Sequence, residues 1–225
     1  MAKDKIFIVV PAFNEGTVVG QVVKSLNSFG TVVVVDDGSS DTTSEVSSAA
    51  NATVLRHVVN LGQGAALQTG IDYAYRQNAD YIVTFDADGQ HDPDDIPKLL
   101  SVLKESHADI VLGSRFLGTT VGMTATRRSI LNLARIFTSA TSGITTTDVH
   151  NGFRVLNRKA AGSIRLAQNR MAHASELISQ IKLNNLTYAE GPVTIRYTNY
   201  SRAKGQRTSA MFTILFDLFT AFLRR

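Results

Sequence analysis

The 225-residue sequence has no cysteine. That absence excludes a disulfide framework, a thiolate nucleophile and cysteine-ligated zinc, and it fits a reducing cytoplasm. Any metal has to be held by oxygen or imidazole. Long apolar runs are missing as well. The first, after Met1-Ala2-Lys3-Asp4-Lys5, is five residues, too short for a signal-peptide core or a bilayer span, so the chain is expected to remain in the cytoplasm. No internal repeat or low-complexity segment is present. With 44% apolar residues, the length suits one α/β domain with a full core.

Acids are scarce in one half. The formal net charge of +4 conceals 7 basic and 15 acidic side chains in residues 1–110 against 16 and 4 in residues 111–225. An acidic half beside a basic one points to two partners, a metal cation for the first and an anionic surface or phosphate for the second. Nucleic acid is not expected as a partner. The basic residues alternate with apolar helical segments and carry no recognition motif or aromatic stacking platform.

Short apolar or β-branched runs at 6–10, 31–35, 81–85 and 110–112 predict buried parallel strands. Between them, 17–28, 42–50, 64–76 and 96–105 read as helices. This alternation predicts a mostly parallel sheet with helices on both faces. Ligands of such sheets bind beyond the carboxyl ends of the strands, here Pro11 to Glu15, Asp36 to Asp41 and Asp86 to Gln90. After Gly113 the pattern turns to helices at 127–142 and 174–184 around a mixed stretch at 148–154. The last segment, 209–223, carries its polar residues at 209, 213, 217 and 220, the stripe of an amphipathic helix. With Arg202, Lys204 and Arg207 before it and Arg224-Arg225 after it, this helix suits a membrane surface. Core packing or contact with a second copy is the alternative.

Asp86 and Asp88 follow the third run, and alternate positions on an extended backbone point the same way, so both carboxylates can converge on one cation. A hard ion such as Mg²⁺ or Mn²⁺ takes carboxylate and amide oxygens and completes its shell with substrate phosphates. Gln90 offers the amide; a solvated acidic turn is the plain alternative. Asp92, Asp94 and Asp95 read as first-turn acids of the helix that Asp92-Pro93 opens. Asp36 and Asp37 can accept from a nucleobase imide and a ribose hydroxyl, while Ser40 or Asp41 caps the next helix. Pro11-Ala12-Phe13-Asn14-Glu15 can frame a nucleoside. Asn60-Leu61-Gly62-Gln63-Gly64-Ala65-Ala66 permits close backbone approach before a helix, either for phosphate or for the turn alone. His91, His107, His150 and His173 have no partner at metal-ligand spacing and read as surface or hydrogen-bonded histidines. Arg127 and Arg128 oppose the dipole of the helix they start, which calls for an anion nearby.

These segments, together with Gly113-Ser114-Arg115-Phe116 and Asp148 followed by Gly152-Phe153-Arg154, resemble the family 2 glycosyltransferases of GT-A fold over nearly the whole chain. Within that family the likeness is to the dolichol-phosphate mannose synthase group and its bacterial polyprenyl-phosphate relatives. The resemblance implies a GT-A, Rossmann-like catalytic domain over 1–200, with 1–113 for nucleotide sugar and metal and 114–200 for the acceptor, ahead of a basic, amphipathic segment at 201–225. It implies nucleoside contacts from Pro11, Phe13, Glu15, Val35 and Asp37, with Asp36 beside them, and diphosphate contacts from Ala87 and Asp88. Asp88 and Gln90 would hold Mg²⁺ or Mn²⁺, with Asp86 a further candidate. Arg127, Arg202 and a basic residue after Gly205, here Arg207, fall to phosphates of donor or acceptor, and Arg115 and Lys204 join the acceptor-phosphate candidates. Asp88, Arg127 and Arg202 are the catalytic candidates. Phe13 stands where the group has tyrosine, Gln206-Arg207 where Ser-Lys is common, and His150-Asn151 in place of small hydroxyl residues.

The implied reaction moves a hexosyl group from GDP-mannose, UDP-glucose or UDP-GlcNAc to a polyprenyl phosphate. Such a phosphate has a second pKa of about 6 and is largely a dianion at neutral pH. It needs no general base, and a single displacement inverts the anomeric carbon. A saccharide acceptor would need a carboxylate base. Among the four acids of the second half, Asp148, Glu176, Glu190 and Asp217, Glu176 is the candidate. The rival readings are transfer to a saccharide, a nucleotide-sugar pyrophosphorylase, and a non-catalytic nucleotide-sugar-binding module. The pyrophosphorylase would need a glycine- and arginine-rich loop that Pro11 to Gly16 lacks. The expected place is peripheral, on the inner face of the membrane, with a small integral membrane protein or a second copy as the further partners considered.

Overall fold

A computed structural model describes residues 4–168 and 172–197. Its strands are β1 (Ile6–Ala12), β2 (Thr31–Asp36), β3 (Thr53–Arg56), β4 (Tyr81–Thr84), β5 (Ile110–Val121), β6 (Arg154–Asn157) and β7 (Tyr188–Arg196). The helices are α1 (Val19–Leu26), α2 (Thr43–Ala49), α3 (Gln63–Arg76), α4 (Asp95–Ser106), α5 (Ala125–Ser142), α6 (Arg158–Ser163) and α7 (Ala172–Leu183). The strands form one sheet in the order β3-β2-β1-β4-β6-β5-β7. β6 runs antiparallel to β4 and β5, and every other pairing is parallel. This is the α/β architecture with a mostly parallel sheet that the sequence predicts.

The unbroken valine runs of β1 and β2 are explained by burial on both faces. Phe7, Val9, Val33 and Val35 point into one apolar layer with α3, α6 and α7. Ile8, Val10, Val32 and Val34 alternate into the other, with α1 and α4. The chain winds outward from β1 through β2 to β3, then crosses back to place β4 on the other side of β1. That reversal opens a crevice at the carboxyl ends of β1 and β4. β1 and β2 end level, with Ala12 opposite Asp36, whereas β4 ends lower, with Thr84 opposite Val9.

Three strands were not legible as strands. β3 is a four-residue, half-buried edge. β6 is equally short and begins with a buried arginine. β7 contains Gly191-Pro192, which an edge strand tolerates because its outer side needs no ladder hydrogen bond. β5 also runs on to Val121, past an irregularity in its pairing with β7 between Ser114 and Thr119. Since β6 lies between β4 and β5, the acidic and basic halves share one sheet. The amphipathic helix expected over 209–223, with Arg202, Lys204 and Arg207, lies outside the described residues. Among the described residues, no helix is long and apolar enough to cross a membrane.

Candidate active site

The loops after β1 and β2 are laced together. Asn14 takes a left-handed backbone (φ 53°), its N–H donates to Ser39 Oγ at 2.9 Å, and its Oδ1 accepts from Ser40 N at 2.9 Å. Glu15 N donates to Thr43 Oγ1 at 2.9 Å. Phe13 projects from this frame with 43% of its surface exposed, while Pro11 and Glu15 are buried. Val35 is fully buried in the layer beneath α3, so only its backbone could contribute to the nucleoside contact expected of it.

Asp36 and Asp37 are both buried, and both hold protein donors. Asp36 accepts from Ser39 N at 2.8 Å and from the Ser44 hydroxyl, and pairs with Arg56 at 3.7 Å. It therefore organises the turn into α2. Asp37 Oδ1 accepts from Leu61 N at 2.9 Å and meets His57 Nδ1 at 2.7 Å, and its Oδ2 accepts from Gly62 N at 2.7 Å. This pulls the glycine turn over the end of β2. Gly62, at φ 94°, makes the entry to α3 possible.

The acidic turn follows β4. Asp86 Oδ2 meets His91 Nε2 at 2.9 Å and Oδ1 accepts from Gln63 Nε2 at 3.4 Å. A Cβ on Gly152 would collide with both oxygens, so the glycine before Phe153 makes room for this carboxylate. Burial raises the pKa of Asp86, yet the His91 hydrogen bond and the charges of His91, Arg154 and His173 outweigh it and hold the group below its usual value. Asp86 thus has a protein donor at each of its oxygens. His91 packs at a tilt against Phe85 and edge-to-face against Phe153, each ring centroid 5.3 Å away. The turn is pinned to β7 by Arg196 N to Gln90 O at 2.8 Å and by Arg196 Nη2 to Asp92 at 2.7 Å. Asp95 sits in the first turn of α4, as expected.

Asp88 behaves oppositely. Burial first, then the charges of Asp86 and Glu15, push its pKa up to about 6 against the opposing pull of His91 and the Gln90 N–H, which donates to it at 3.0 Å. A carboxylate so crowded by negative charge is one that a bound cation would relieve. Asp88 and the Gln90 amide, both only partly buried, suit a hard divalent ion. Among the described residues no three of His, Asp or Glu stand together at metal-holding distance, so such an ion would take most of its shell from substrate phosphates and water. Ala87 is buried, leaving only its backbone for a diphosphate.

Two described arginines of the basic half, Arg115 and Arg154, are buried. Arg115 is 7% exposed; its Nε donates to Asp148 at 2.6 Å and its Nη1 to Tyr197 Oη at 2.9 Å. It is a buried clamp whose described hydrogen bonds, the third from Nη2 to His150 O at 3.4 Å, all lie within the protein. Glu190 accepts from Thr146 Oγ1 at 2.8 Å and from Thr147 N at 2.7 Å. Glu176 accepts from Ala167 N at 3.0 Å and Gln168 N at 2.8 Å. Burial drives His150 down to about 4, with Arg154, Arg115 and His173 adding to the effect and Asp148 opposing it. Arg154, fully within the core, is lowered to about 10 mainly by burial, against the pull of Asp86 and Asp148. Arg127 lies in the first turn of α5, and its side chain is not among those described.

Sequence reasoning did not single out His57, Gln63 or Arg154 as site-shaping residues. Arg154, inside Gly152-Phe153-Arg154, and Gln63, inside Asn60-Leu61-Gly62-Gln63-Gly64, stood in motifs that could have drawn attention to them, whereas His57 did not. His91 is hydrogen-bonded, as read.

The model of Glycosyl transferase family 2 matches residues 7–165. An uncharacterized protein of Methanocaldococcus jannaschii is 39% identical over 223 residues, covering 96% of this chain and 91% of that one. The UDP-N-acetylglucosamine–dolichyl-phosphate N-acetylglucosaminyltransferase of Methanococcus voltae is 32% identical, covering 97% of this chain and 96% of that one. The fold is similar to that of the glucosyl-3-phosphoglycerate synthase of Mycobacterium tuberculosis, solved with Mn²⁺ and uridine-diphosphate-glucose. The TM-score is 0.74 at 18% identity over 98% of this chain and 78% of that one. With a crevice at the switch point, an acidic turn at its floor and this family match over most of its length, the chain belongs to glycosyl transferase family 2 and is a glycosyltransferase of GT-A fold.

Proposed function

We propose that the chain moves a hexosyl group from a nucleoside-diphosphate sugar to a polyprenyl phosphate, with inversion, at a membrane surface. The observation that carries this reading is the fate of the described acids in the basic half; the fourth, Asp217, lies outside the described residues. Asp148 is spent on Arg115, Glu176 on the amides of Ala167 and Gln168, and Glu190 on Thr146 and Thr147. A hydroxyl acceptor needs a carboxylate to take its proton, whereas a phosphate dianion arrives as its own nucleophile. The acceptor named for the Methanococcus voltae relative, a dolichyl phosphate, agrees with this chemistry.

On the donor side, Asp88 and Gln90 would hold Mg²⁺ or Mn²⁺, which when bound neutralises charge on the departing diphosphate. The exposed Phe13 ring offers a nucleobase a face to stack on. His91, with Arg154 nearby, favours the ionised form of Asp86, and His91 and Gln63 hold it in place. Arg127, Arg202, Lys204 and Arg207 are the proposed phosphate contacts. The work left to the protein is alignment of the two anions, which accounts for a large share of such rate enhancements.

The test is transfer of labelled sugar from UDP-GlcNAc, UDP-glucose and GDP-mannose, with Mn²⁺, to a polyprenyl phosphate and to a panel of oligosaccharides. Label in an acid-labile lipid product from at least one donor is expected. Label appearing only in oligosaccharides would move the chain to the saccharide reading. Loss of all transfer in Asp88→Ala, beside an active native chain, would set aside a purely binding role.

A further inference from the structure

Asp37 is the carboxylate expected to meet a nucleobase, and its acceptor capacity is nearly used up within the protein. An ionised carboxylate has about four lone-pair sites, two on each oxygen. Oδ1 is filled by Leu61 N at 2.9 Å and His57 Nδ1 at 2.7 Å, and Oδ2 accepts Gly62 N at 2.7 Å. One position on Oδ2 remains. The residue is 3% exposed.

The two amides suffice to hold the glycine turn, and the third donor comes from a residue with no other evident task. The His57 side chain is 11% exposed and is gripped on its far side by Thr69 of α3, whose Oγ1 lies 3.0 Å from Nε2. Its backbone N–H donates to Asp36 O at 2.9 Å, fixing it at the end of β3. With Nδ1–H given to the carboxylate, Nε2 accepts the threonine hydroxyl, so both faces of the contact are satisfied.

We infer that His57 selects the base of the donor: by filling Oδ1 of Asp37 it leaves a single acceptor position, which matches the one imide N–H of uracil and rejects guanine. Guanine presents two adjacent donors, N1–H and the 2-amino group, that pair with a carboxylate through both oxygens. Here one of them would be buried without a partner. Adenine and cytosine turn a ring-nitrogen lone pair toward the same carboxylate and are rejected by repulsion. An unpaired buried donor weakens binding between about fivefold and a hundredfold. The inference rests on the nucleotide-sugar reading and narrows its donors to uridine diphosphate sugars.

The test is calorimetric titration of UDP and GDP, with Mn²⁺, into the full chain and its His57→Ala and His57→Asn variants. The native chain is expected to bind UDP at least about tenfold more tightly than GDP, the middle of that span. His57→Ala, which frees a position on Oδ1, should narrow the ratio at least about fivefold. His57→Asn, whose amide N–H stands near the place of Nδ1, should keep it. Native binding of GDP as tight as that of UDP overturns the role of His57 and leaves the proposed transfer intact. Failure of the native chain to bind either diphosphate, with no sugar transferred, overturns the proposed transfer itself. Equal weakening of both ligands in His57→Ala makes His57 a support of the loop only, and overturns the inference. Should His57→Ala not fold, the native ratio and that of His57→Asn decide.

Discussion

The two halves of the sheet handle charge in opposite ways. At the ends of β1, β2 and β4, Asp86 and Asp37 are steadied by neutral or imidazole donors, and Asp88 is left in a crowd of negative charge that raises it to about 6. Beyond β6, arginine and acid are matched inside the protein, as in Arg115 with Asp148. The first arrangement leaves a cation to be supplied from outside. The second leaves no described acid in reserve to take a proton. A binding edge and a structural interior can thus share one sheet while differing in whether their charges are balanced from within.

The sharpest break of that comparison is Asp88→Ala. Loss of the one crowded carboxylate should lower kcat/KM for transfer by about a thousandfold or more, the scale of removing a metal or a principal electrostatic stabiliser, while the melting temperature holds or rises. Arg115→Ala should do the reverse. Stranding Asp148 without its buried partner costs about 3–5 kcal/mol of stability, read by denaturant unfolding, with the KM for the acceptor unchanged in whatever fraction folds. A raised KM with normal stability would restore Arg115 to the acceptor phosphate.

Two smaller effects sharpen the contrast. Gly152→Ala pushes a methyl into the Asp86 carboxylate and should cost about 1–3 kcal/mol as overpacking does, less in an Asp86→Ala background, because the colliding oxygens are gone. The pH dependence of Asp88 has a definite sign. Its pKa is raised in the folded chain, to about 6 from 3.8, so its protonation stabilises the metal-free fold fully below pH 3.8, and that contribution is lost as pH rises through about 6. Mn²⁺ needs the ionised form, so its affinity should climb over the same interval. Titration at pH 5 and 7 checks this, and a flat response in the native chain would deny Asp88 a ligand role.

How much was legible follows from where each residue finds its partner. β1 and β2 announce themselves because burial on both faces demands unbroken apolar runs, and the polar strand ends behind them mark the crevice. β3 and β6 are too short for a period to show, and β7 is broken by Gly191-Pro192. Arg115 follows a glycine and serine and looks free to meet a phosphate, but its partner Asp148 lies 33 positions on. His57 reaches Asp37 and Thr69 across 20 and 12 positions. No local pattern encodes such contacts. The crowding of Asp88 comes in part from Asp86 in the same turn, which the sequence displays, and in part from burial and from Glu15, which it does not; nor does a strand-end position such as Val35 say which layer its side chain enters.

The central claim is that the acceptor brings its own negative charge and so replaces a general base. Its most direct test is transfer of labelled sugar to a polyprenyl phosphate and to the corresponding free polyprenol, by the native chain and by Glu176→Gln. Label in the phosphate alone, at rates within about threefold for the two proteins as expected of a residue outside the chemistry, is the predicted result. Label in the free alcohol, or collapse of transfer in a Glu176→Gln variant that remains folded, would contradict it.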